Sequence, residues 1–299
     1  MLMRVLVLSA LIAIGAAGTA VSGCRAKPED GPKIATIDKV RDNLYVIKGG
    51  GGNTAAFITG TGVVLVDTKL PGWGQPILDK VRTVTDHPVT MIINTHAHPD
   101  HVRSNEFFPT TVDIVAQENT KVIMQRMPGF KGDNAKFLPK KTFSDRMSVL
   151  GGKDRIDLYY FGAGHTDGDA IVVFPALRAA HFGDLFAGKY PPTIDTSGGG
   201  SAIAYPGTLS KAVAGIENVD TIITGHSDTV MTWDDLREYA DFNAEFLAWA
   251  EQQVKTGTSP KDAAAAFKTP ARYQGYAEQP WRVVVNVEIV NQELKQKTP

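Results

Sequence analysis

The chain reads Ile92-Ile93-Asn94-Thr95-His96-Ala97-His98-Pro99-Asp100-His101, an apolar run followed by three histidines and an aspartate within six positions. The whole sequence of 299 residues contains only seven histidines, so three of them in residues 96–101 form a cluster that chance rarely produces. A lone histidine is usually a core or surface residue, whereas clustered histidines and aspartates are typical metal ligands. The segment therefore predicts a metal site at the end of a strand.

Pro99 determines the backbone conformation of this cluster. A residue that precedes proline is disfavoured in the helical region, so His98 should be extended. This excludes the helical type of site in which two histidines one turn apart share a metal. In an extended chain residues i and i+2 point the same way, which places His96 and His98 side by side on one ion. Asp100 and His101 lie beyond the turn and face away from that pair, where they can serve a second ion.

Composition and charge are those of an ordinary globular protein. The formal net charge is −1 and hydrophobic residues make up 43% of the chain, close to the average for soluble domains. No basic run or basic-aromatic interleaving occurs, which argues against a nucleic-acid or polyanion partner. We therefore expect a small-molecule substrate, and the sequence makes no prediction about the oligomeric state.

The N-terminal residues differ from the rest of the chain. Arg4 gives a short positive region, and residues 5–17 form an apolar segment that is too short to span a membrane. Residues 1–23 are predicted to be an export signal of the lipoprotein type, because Val21-Ser22-Gly23-Cys24 resembles the lipobox of bacterial lipoproteins. The alternative is an ordinary cleavage site after Ala20, with Cys24 as an incidental residue.

Either signal places the mature protein outside the cytoplasm, in the periplasm or cell envelope. In the lipoprotein interpretation Cys24 is lipidated, and this anchor is the only membrane contact that we expect. Cys24 is the only cysteine, so no intramolecular disulfide can form. Residues 24–33 are charged and contain proline, as in a tether, and residues 34–299 form the predicted domain.

Residues 34–67 are predicted to form an antiparallel meander. Its strands are short β-branched runs at 34–40, 44–48, 54–59 and 63–67. A helix at 73–85 and a buried strand at 89–94 follow and lead into the histidine cluster. The glycine-rich turn 49–53 does not open a helix, so it is a poor phosphate site, and we expect a mobile hairpin or flap.

Strands and helices alternate through the remainder of the chain. The predicted strands are 112–116, 147–150, 155–161, 170–174, 178–182 and 221–224, and the predicted helices are 118–127, 233–256 and 260–267. The C-terminal helices and the apolar segment 281–294 are expected to cover a second sheet rather than to form a cofactor site.

Further strand ends carry residues of the metal-ligand type. His165, Asp184 and His226 each follow a glycine at the end of an apolar strand. Open α/β sheets build their sites where loops leave the strand ends, so these side chains are expected to meet the histidine cluster. Asp67 also ends an apolar strand, and it is either a partner of a ligand or a turn residue.

The motifs that contain these residues resemble the metallo-β-lactamase superfamily. They are Thr-His-Ala-His-Pro-Asp-His at 95–101, Gly-His-Thr-Asp-Gly-Asp at 164–169, Gly-Asp-Leu-Phe at 183–186 and Gly-His-Ser-Asp at 225–228. The similarity covers residues 34–297. It implies an α/β fold, a four-layer αβ/βα sandwich of two mixed β-sheets with outer helices, and a binuclear metal site on one edge.

The resemblance also implies a role for most of the histidines. The ligands of the first metal would be His96, His98 and His165, those of the second would be Asp100, His101 and His226, and the bridge would be Asp184. His87 and His181 match no ligand of the family and are expected to be structural.

The bridging position distinguishes branches of the superfamily. Zinc β-lactamases proper have cysteine or serine where this chain has Asp184, so the chain resembles the glyoxalase II, lactonase and phosphodiesterase branches more closely. The flavodiiron branch usually has glutamate in place of His98, which argues against that redox role.

Zinc, two ions per chain, is the expected cofactor, because imidazoles and carboxylates are borderline ligands; iron or manganese would be tolerated. A metal-bridged hydroxide would attack an ester, thioester, lactone or amide carbonyl, that of a β-lactam included, while Asp100 orients the hydroxide and carries its proton. The same motifs resemble a persulfide dioxygenase that uses one iron, which is the alternative from another enzyme class. A phosphodiesterase is a further alternative, and a catalytically silent lipoprotein is disfavoured because every ligand position is filled.

The loop 187–201 is long and glycine-rich, and loops of that length inside a compact domain are usually functional. Lys189 and Tyr190 are candidates for binding an acidic group or an oxyanion of the substrate. The alternative is that both are solvent-facing loop residues.

We expect Cys24→Ala to release the protein from membranes into a soluble fraction. The acyl chains supply the membrane affinity, at about 0.8 kcal/mol for each buried methylene. Fractionation of cells that express the wild type and the variant measures this, and equal soluble fractions would reject lipidation.

Overall fold

In the computed structural model, which describes residues 32–297, the apolar run before the histidines is strand β5 of a seven-stranded sheet. The strands in spatial order are β1 (Thr36–Arg41), β2 (Leu44–Lys48), β3 (Thr54–Ile58), β4 (Val63–Val66), β5 (Val89–Asn94), β6 (Asp113–Gln117) and β7 (Lys141–Phe143). β1 to β4 pair antiparallel, as predicted for the meander, and β4 to β7 pair parallel. The parallel strands therefore end at one edge of the sheet.

Three helices cover the outer face of this first sheet. They are α1 (Gly74–Arg82), α2 (Pro99–Val102) and α3 (Glu118–Arg126). Ile77 and Val81 of α1 and Met124 of α3 are buried in one apolar cluster with Leu65 and Ile92 of the sheet. The apolar stripe of each helix thus decides which side of the sheet it covers.

A second sheet of six strands lies against the first. Its strands in spatial order are β13 (Met231–Thr232), β12 (Thr221–Ile223), β11 (Ala179–His181), β10 (Ile171–Phe174), β9 (Ile156–Tyr159) and β8 (Arg146–Val149). β11 and β12 pair parallel, and the other neighbours pair antiparallel. Helices α4 (Tyr205–Gly215), α5 (Trp233–Lys255), α6 (Pro260–Ala266) and α7 (Pro280–Lys297) contribute buried residues to the cluster on its outer face.

The inner faces of the two sheets share a core. Phe57 and Ile93 of the first sheet are buried with Val172 and Phe174 of the second, and the rings of Phe57 and Phe174 lie 5.1 Å apart. The order of layers is therefore helix, sheet, sheet, helix, and the predicted four-layer sandwich is confirmed. No described helix combines the length and apolar character that a membrane span needs.

Several elements differ from the sequence prediction. The prediction missed the short elements α2, β7 and β13, and it missed α4, which starts with Tyr205-Pro206-Gly207. Proline and glycine there suggest a turn, but proline in a first helical turn loses no hydrogen bond. The predicted helix 73–85 ends at Arg82, because both the backbone N–H and the hydroxyl of Thr83 donate to the carbonyl of Lys80. The predicted signal, Cys24 and the tether as far as residue 31 lie outside the described residues.

Candidate metal centre

The histidine cluster begins where β5 ends at Asn94. His98 has φ −66° and ψ 145°, which is the extended conformation expected before Pro99. Pro99 then starts α2, whose first turn carries Asp100 and His101. The expectation that His101 faces away from His96 and His98 is wrong, because the turn brings the ring of His101 to 4.2 Å from that of His96.

Four of the predicted ligands form a first group. Single donor atoms of His96, His98, His165 and Asp184 lie within 4.8 Å of one another. His98 Nδ1 and His165 Nε2 are 2.9 Å apart, and the ring of His96 lies 4.8 Å from that of His98 and 4.7 Å from that of His165. Metal-ligand atoms that follow strands of both sheets therefore lie close together.

The other three predicted ligands form a second group. Donor atoms of Asp100, His101 and His226 also lie within 4.8 Å of one another. His226 Nε2 is 3.4 Å from His101 Nε2 and 3.4 Å from Asp100 Oδ2. The structure thus brings together every residue that the sequence nominated as a ligand.

Asp184 links the two groups. Its Oδ1 lies 3.4 Å from His101 Nε2, and its Oδ2 lies 3.2 Å from His226 Nε2 and 3.7 Å from His165 Nε2. Burial by itself would raise the pKa of Asp184, but the charge of His101 and the hydrogen bond with His226 hold that pKa well below its usual range. The carboxylate therefore remains an anion between the two groups.

The residues present fit metal ions. His96 Nε2 and Asp184 Oδ1 are buried without a hydrogen-bond partner, and a buried polar atom left unpaired destabilises the fold by about 1–3 kcal/mol. Burial and the neighbouring histidines lower the pKa of His96 well below its usual value, so its imidazole is neutral and can donate a lone pair. Metal coordination would satisfy both atoms.

Asp67 orients one of the ligands. Its carboxylate accepts hydrogen bonds from the Thr95 backbone N–H (2.8 Å), the Thr95 hydroxyl (2.7 Å) and His101 Nδ1 (2.7 Å). Asp67 is fully buried. Its bond to Nδ1 turns Nε2 of His101 toward Asp184 and fixes the tautomer that metal binding needs. Of the two interpretations of Asp67, the geometry favours a ligand partner.

The loop 187–201 supports two of the candidate ligands, His98 and His165. The sequence analysis did not predict these supporting contacts. Asp195 Oδ2 accepts a hydrogen bond from His98 Nε2 at 3.0 Å, and the Thr193 carbonyl accepts one from His165 Nδ1 at 2.8 Å. These contacts direct the opposite ring nitrogens toward the first group. The hydrogen bond to His98 keeps the pKa of Asp195 well below its usual value.

The glycine turn 49–53 is packed against the second group rather than free as a flap. A Cβ on Gly52 would lie 2.2 Å from the His101 ring, and one on Gly51 would lie 2.6 Å from Asp100 Cβ. The Gly52 N–H donates to the Asp100 carbonyl at 3.0 Å. The buried ammonium of Lys69 donates to the carbonyls of Gly52 (2.6 Å) and Ile47 (2.9 Å), a contact that the sequence did not suggest.

Lys189 and Tyr190, the two candidate substrate residues, are both in contact with other side chains of the protein. Lys189 Nζ is 2.6 Å from Asp235 and 3.2 Å from Glu238 of α5, so its charge is already compensated. Tyr190 is half-buried, and its ring packs against the Arg282 guanidinium at 4.3 Å. Neither side chain is the solvent-facing loop residue that the alternative interpretation of Lys189 and Tyr190 described.

His181 and His87 are bonded to the backbone and belong to neither group. His181 Nε2 donates to the Asn53 carbonyl at 3.1 Å, and its Nδ1 accepts from the Gly183 N–H at 3.0 Å. His87 Nδ1 lies 3.0 Å from the Thr59 carbonyl. These contacts agree with the structural role expected for both.

Known proteins provide an independent comparison. A sequence model of the family described as the metallo-beta-lactamase superfamily matches residues 47–248, more than half of the chain. The chain belongs to this superfamily. This match confirms the predicted family. At the level of the superfamily it also confirms the prediction of a metal-dependent hydrolase.

Relatives within the superfamily have different activities. A metallo-beta-lactamase type 2 of Elizabethkingia meningoseptica is 27% identical over 228 residues, which are 70% of this chain and 84% of the relative. A hydroxyacylglutathione hydrolase of Nostoc punctiforme is 29% identical over 157 residues, 51% of this chain and 53% of that protein.

Solved structures of superfamily members share the fold. A metallo-beta-lactamase from Pontibacter korlensis has a TM-score of 0.61 at 18% identity, over 71% of this chain and 99% of that one. The stereoselective inverting sec-alkylsulfatase Pisa1 of a Pseudomonas species has a TM-score of 0.69 at 16% identity, over 87% of this chain and 50% of that one. At these identities the similarity concerns the fold alone.

We expect Asp195→Asn to weaken zinc binding by the first group about 10- to 100-fold, because an amide orients His98 less strongly than a carboxylate does. Titration with zinc against a chromophoric chelator measures the affinity. Asp113→Asn is the matched control, since that carboxylate pairs with exposed Lys141 at 2.6 Å at the opposite end of the sheet. An unchanged affinity in Asp195→Asn would show that the loop contact does not support the metal.

Proposed function

We propose that the protein is a binuclear zinc hydrolase that cleaves an ester, thioester, lactone or amide bond of a small molecule. The observation that carries this proposal is the position of Asp184, whose carboxylate reaches both ligand groups: it lies 3.4 Å from His101 and 3.2 Å from His226 of the second group, and 3.7 Å from His165 of the first. A single-metal site needs no such bridge. Five imidazoles and two carboxylates suit zinc, and iron or manganese would be tolerated.

A zinc pair, when bound, supplies a Lewis acid that polarises the substrate oxygen and lowers the pKa of water. The protein supplies the proton acceptor. Asp100 of the second group is the candidate for this role. Its side chain is 28% exposed, and its Oδ2 lies 3.4 Å from His226 Nε2 of the same group. From there Asp100 Oδ2 can take the proton of the attacking water and return it to the leaving group.

The relatives support carbonyl chemistry without selecting one substrate. One is named a β-lactamase, which acts on an amide, and another a hydroxyacylglutathione hydrolase, which acts on a thioester. This chain has Asp184 where zinc β-lactamases have cysteine or serine. That difference favours a thioester or a lactone as the substrate over a β-lactam. Phosphodiester cleavage would use the same groups and is a second outcome of a substrate screen.

The persulfide dioxygenase alternative needs one iron only. The second group, Asp100, His101 and His226, has donor atoms from all three residues within 4.8 Å of one another, which supports two ions instead of one. Metal analysis separates the proposals: two zinc ions per chain support the hydrolase, and one iron supports the dioxygenase. Hydrolysis of nitrocefin, acyl-homoserine lactones, thioesters and phosphodiesters then identifies the substrate class.

We also propose that the protein acts in the cell envelope, exported by residues 1–23 and held to the membrane by lipid on Cys24. A small-molecule substrate is then its only other partner, and a nucleic acid is not expected. The support is the sequence of the N-terminal segment and the small net charge. Export favours envelope-derived, antibiotic or signal substrates over cytoplasmic glutathione thioesters.

We expect His96→Ala to lower hydrolysis about 100-fold or more, since the first ion loses a buried ligand and its contribution to charge stabilisation. The metal content by elemental analysis and the turnover of the best substrate are the measurements. His87→Ala is the control, because His87 lies outside both groups. Full metal content and full turnover in His96→Ala would contradict the assignment of the site.

We expect Asp184→Asn to weaken the second zinc ion more than the first, roughly 10-fold or more. The neutral amide removes the negative charge that offsets repulsion between two dications, while His96, His98 and His165 still hold the first ion. Activity should fall at limiting zinc and recover in part with excess zinc. Two equally tight ions and unchanged turnover in the variant would favour a mononuclear site.

A further inference from the structure

Lys69 is a fully buried lysine that connects the glycine turn 49–53 to strand β2. It is 0% exposed, and its Nζ donates to the carbonyl of Gly52 in the turn at 2.6 Å and to that of Ile47 in β2 at 2.9 Å. Its φ is 68°, in the left-handed region that residues with a side chain rarely adopt. Lysine is almost never buried completely unless its polar end is paired. The two carbonyls supply that pairing here.

The two hydrogen bonds do not depend on the charge of Lys69. Burial lowers the pKa of Lys69 to about 7, although the charges of Asp67 and Asp100 raise it. An ammonium has three N–H groups and a neutral amine has two, so either form can donate to both carbonyls. The neutral form also avoids repulsion from a dication bound nearby. The side chain therefore serves as a pair of fixed donors in either protonation state.

The backbone next to Lys69 is hydrogen-bonded to α2, the helix that carries two of the predicted ligands. The Thr68 N–H donates to the His101 carbonyl at 2.6 Å, and the Lys69 carbonyl accepts from the Arg103 N–H at 3.1 Å. The backbone of Lys69 is thus fixed to α2, while its side chain holds the turn 49–53.

The glycine turn contacts the chain at or next to each ligand of the second group, Asp100, His101 and His226. The Gly52 N–H donates to the Asp100 carbonyl at 3.0 Å, and a Cβ on Gly52 would lie 2.2 Å from the His101 ring. The Asn53 N–H donates to the Gly225 carbonyl at 2.7 Å, directly before His226. A displacement of the turn would therefore reach all three ligands.

The first group has a different support. Asp195 accepts a hydrogen bond from His98 Nε2 at 3.0 Å, and the Thr193 carbonyl accepts one from His165 Nδ1 at 2.8 Å. Both acceptors lie in the loop 187–201, and neither contact involves the glycine turn. The two ion positions can therefore be weakened separately.

We propose that Lys69 is a positioning residue for the second metal ion, which it supports by holding the glycine turn 49–53 against the second ligand group. This inference rests on the proposed binuclear function. The two hydrogen bonds of Nζ go to backbone carbonyls, so Lys69 acts through the turn rather than on substrate or metal. Without these donors the protein should bind the first ion alone when metal is limiting.

The test is Lys69→Met, which keeps a long side chain and removes the N–H donors. Cadmium-113 NMR during a cadmium titration follows one resonance for each site, and the resonance that His96→Ala removes is that of the first group. Lys69→Met should weaken the second ion about 10- to 100-fold, the usual loss when a residue that orients a ligand is removed. The affinity of the first ion should not change.

Lys48→Met is the matched control, because Lys48 lies next to the same turn and its Nζ pairs with Asp38 at 2.7 Å. Both ions should bind to this variant as to the wild type. Lys69→Gln keeps two N–H donors on a shorter side chain, so its loss should be smaller but still confined to the second ion. If Lys69→Met does not fold, Lys69→Gln decides the test against the same control.

The outcomes separate this inference from the proposed function. Equal weakening of both ions, or no weakening of the second, would overturn the role of Lys69 alone. A single cadmium resonance in the wild type would overturn the binuclear proposal and this inference together. Selective loss of the second ion in a protein that cleaves none of the screened substrates would support the role of Lys69 and reject the hydrolase proposal.

Discussion

The buried carboxylate of Asp184 is the constraint on which the site depends. It is 7% exposed, and an anion at that depth must be compensated by positive charge close by. His101 lies in α2 after a strand of the first sheet, His226 follows a strand of the second, and both face this carboxylate. Gly225 shows how tightly it is enclosed, because a Cβ there would lie 1.9 Å from Asp184 Oδ1. The ends of two sheets are thus brought together around one charge.

The fold and the ligands could be predicted because their signals are local. β5 is an apolar run, Pro99 fixes the conformation of His98, and the other ligands follow glycines at strand ends. Each signal lies within a few residues of sequence. The position of Asp67 at the end of β4 also limited its role to two possibilities, although only the hydrogen bond to His101 decides between them.

The supporting contacts could not be predicted because they depend on distant parts of the chain. Asp195 reaches His98 across 97 positions, and Asp195 in a glycine-rich loop looks like an ordinary turn residue. Lys69 is a buried lysine whose Nζ donates to two backbone carbonyls, which no residue pattern indicates. The ion pairs of Lys189 could not be predicted for the same reason, because the acids that pair with it come from α5.

The loop 187–201 holds His98 through Asp195 and His165 through Thr193, and the carbonyl of Ala187 at its start accepts a hydrogen bond from the His226 N–H. Mutations that reshape this loop to admit a new substrate would therefore act on metal retention as well. A variant with a wider substrate range would then bind zinc more weakly. Such a variant would keep its metal in a zinc-rich habitat and lose it in a zinc-poor one.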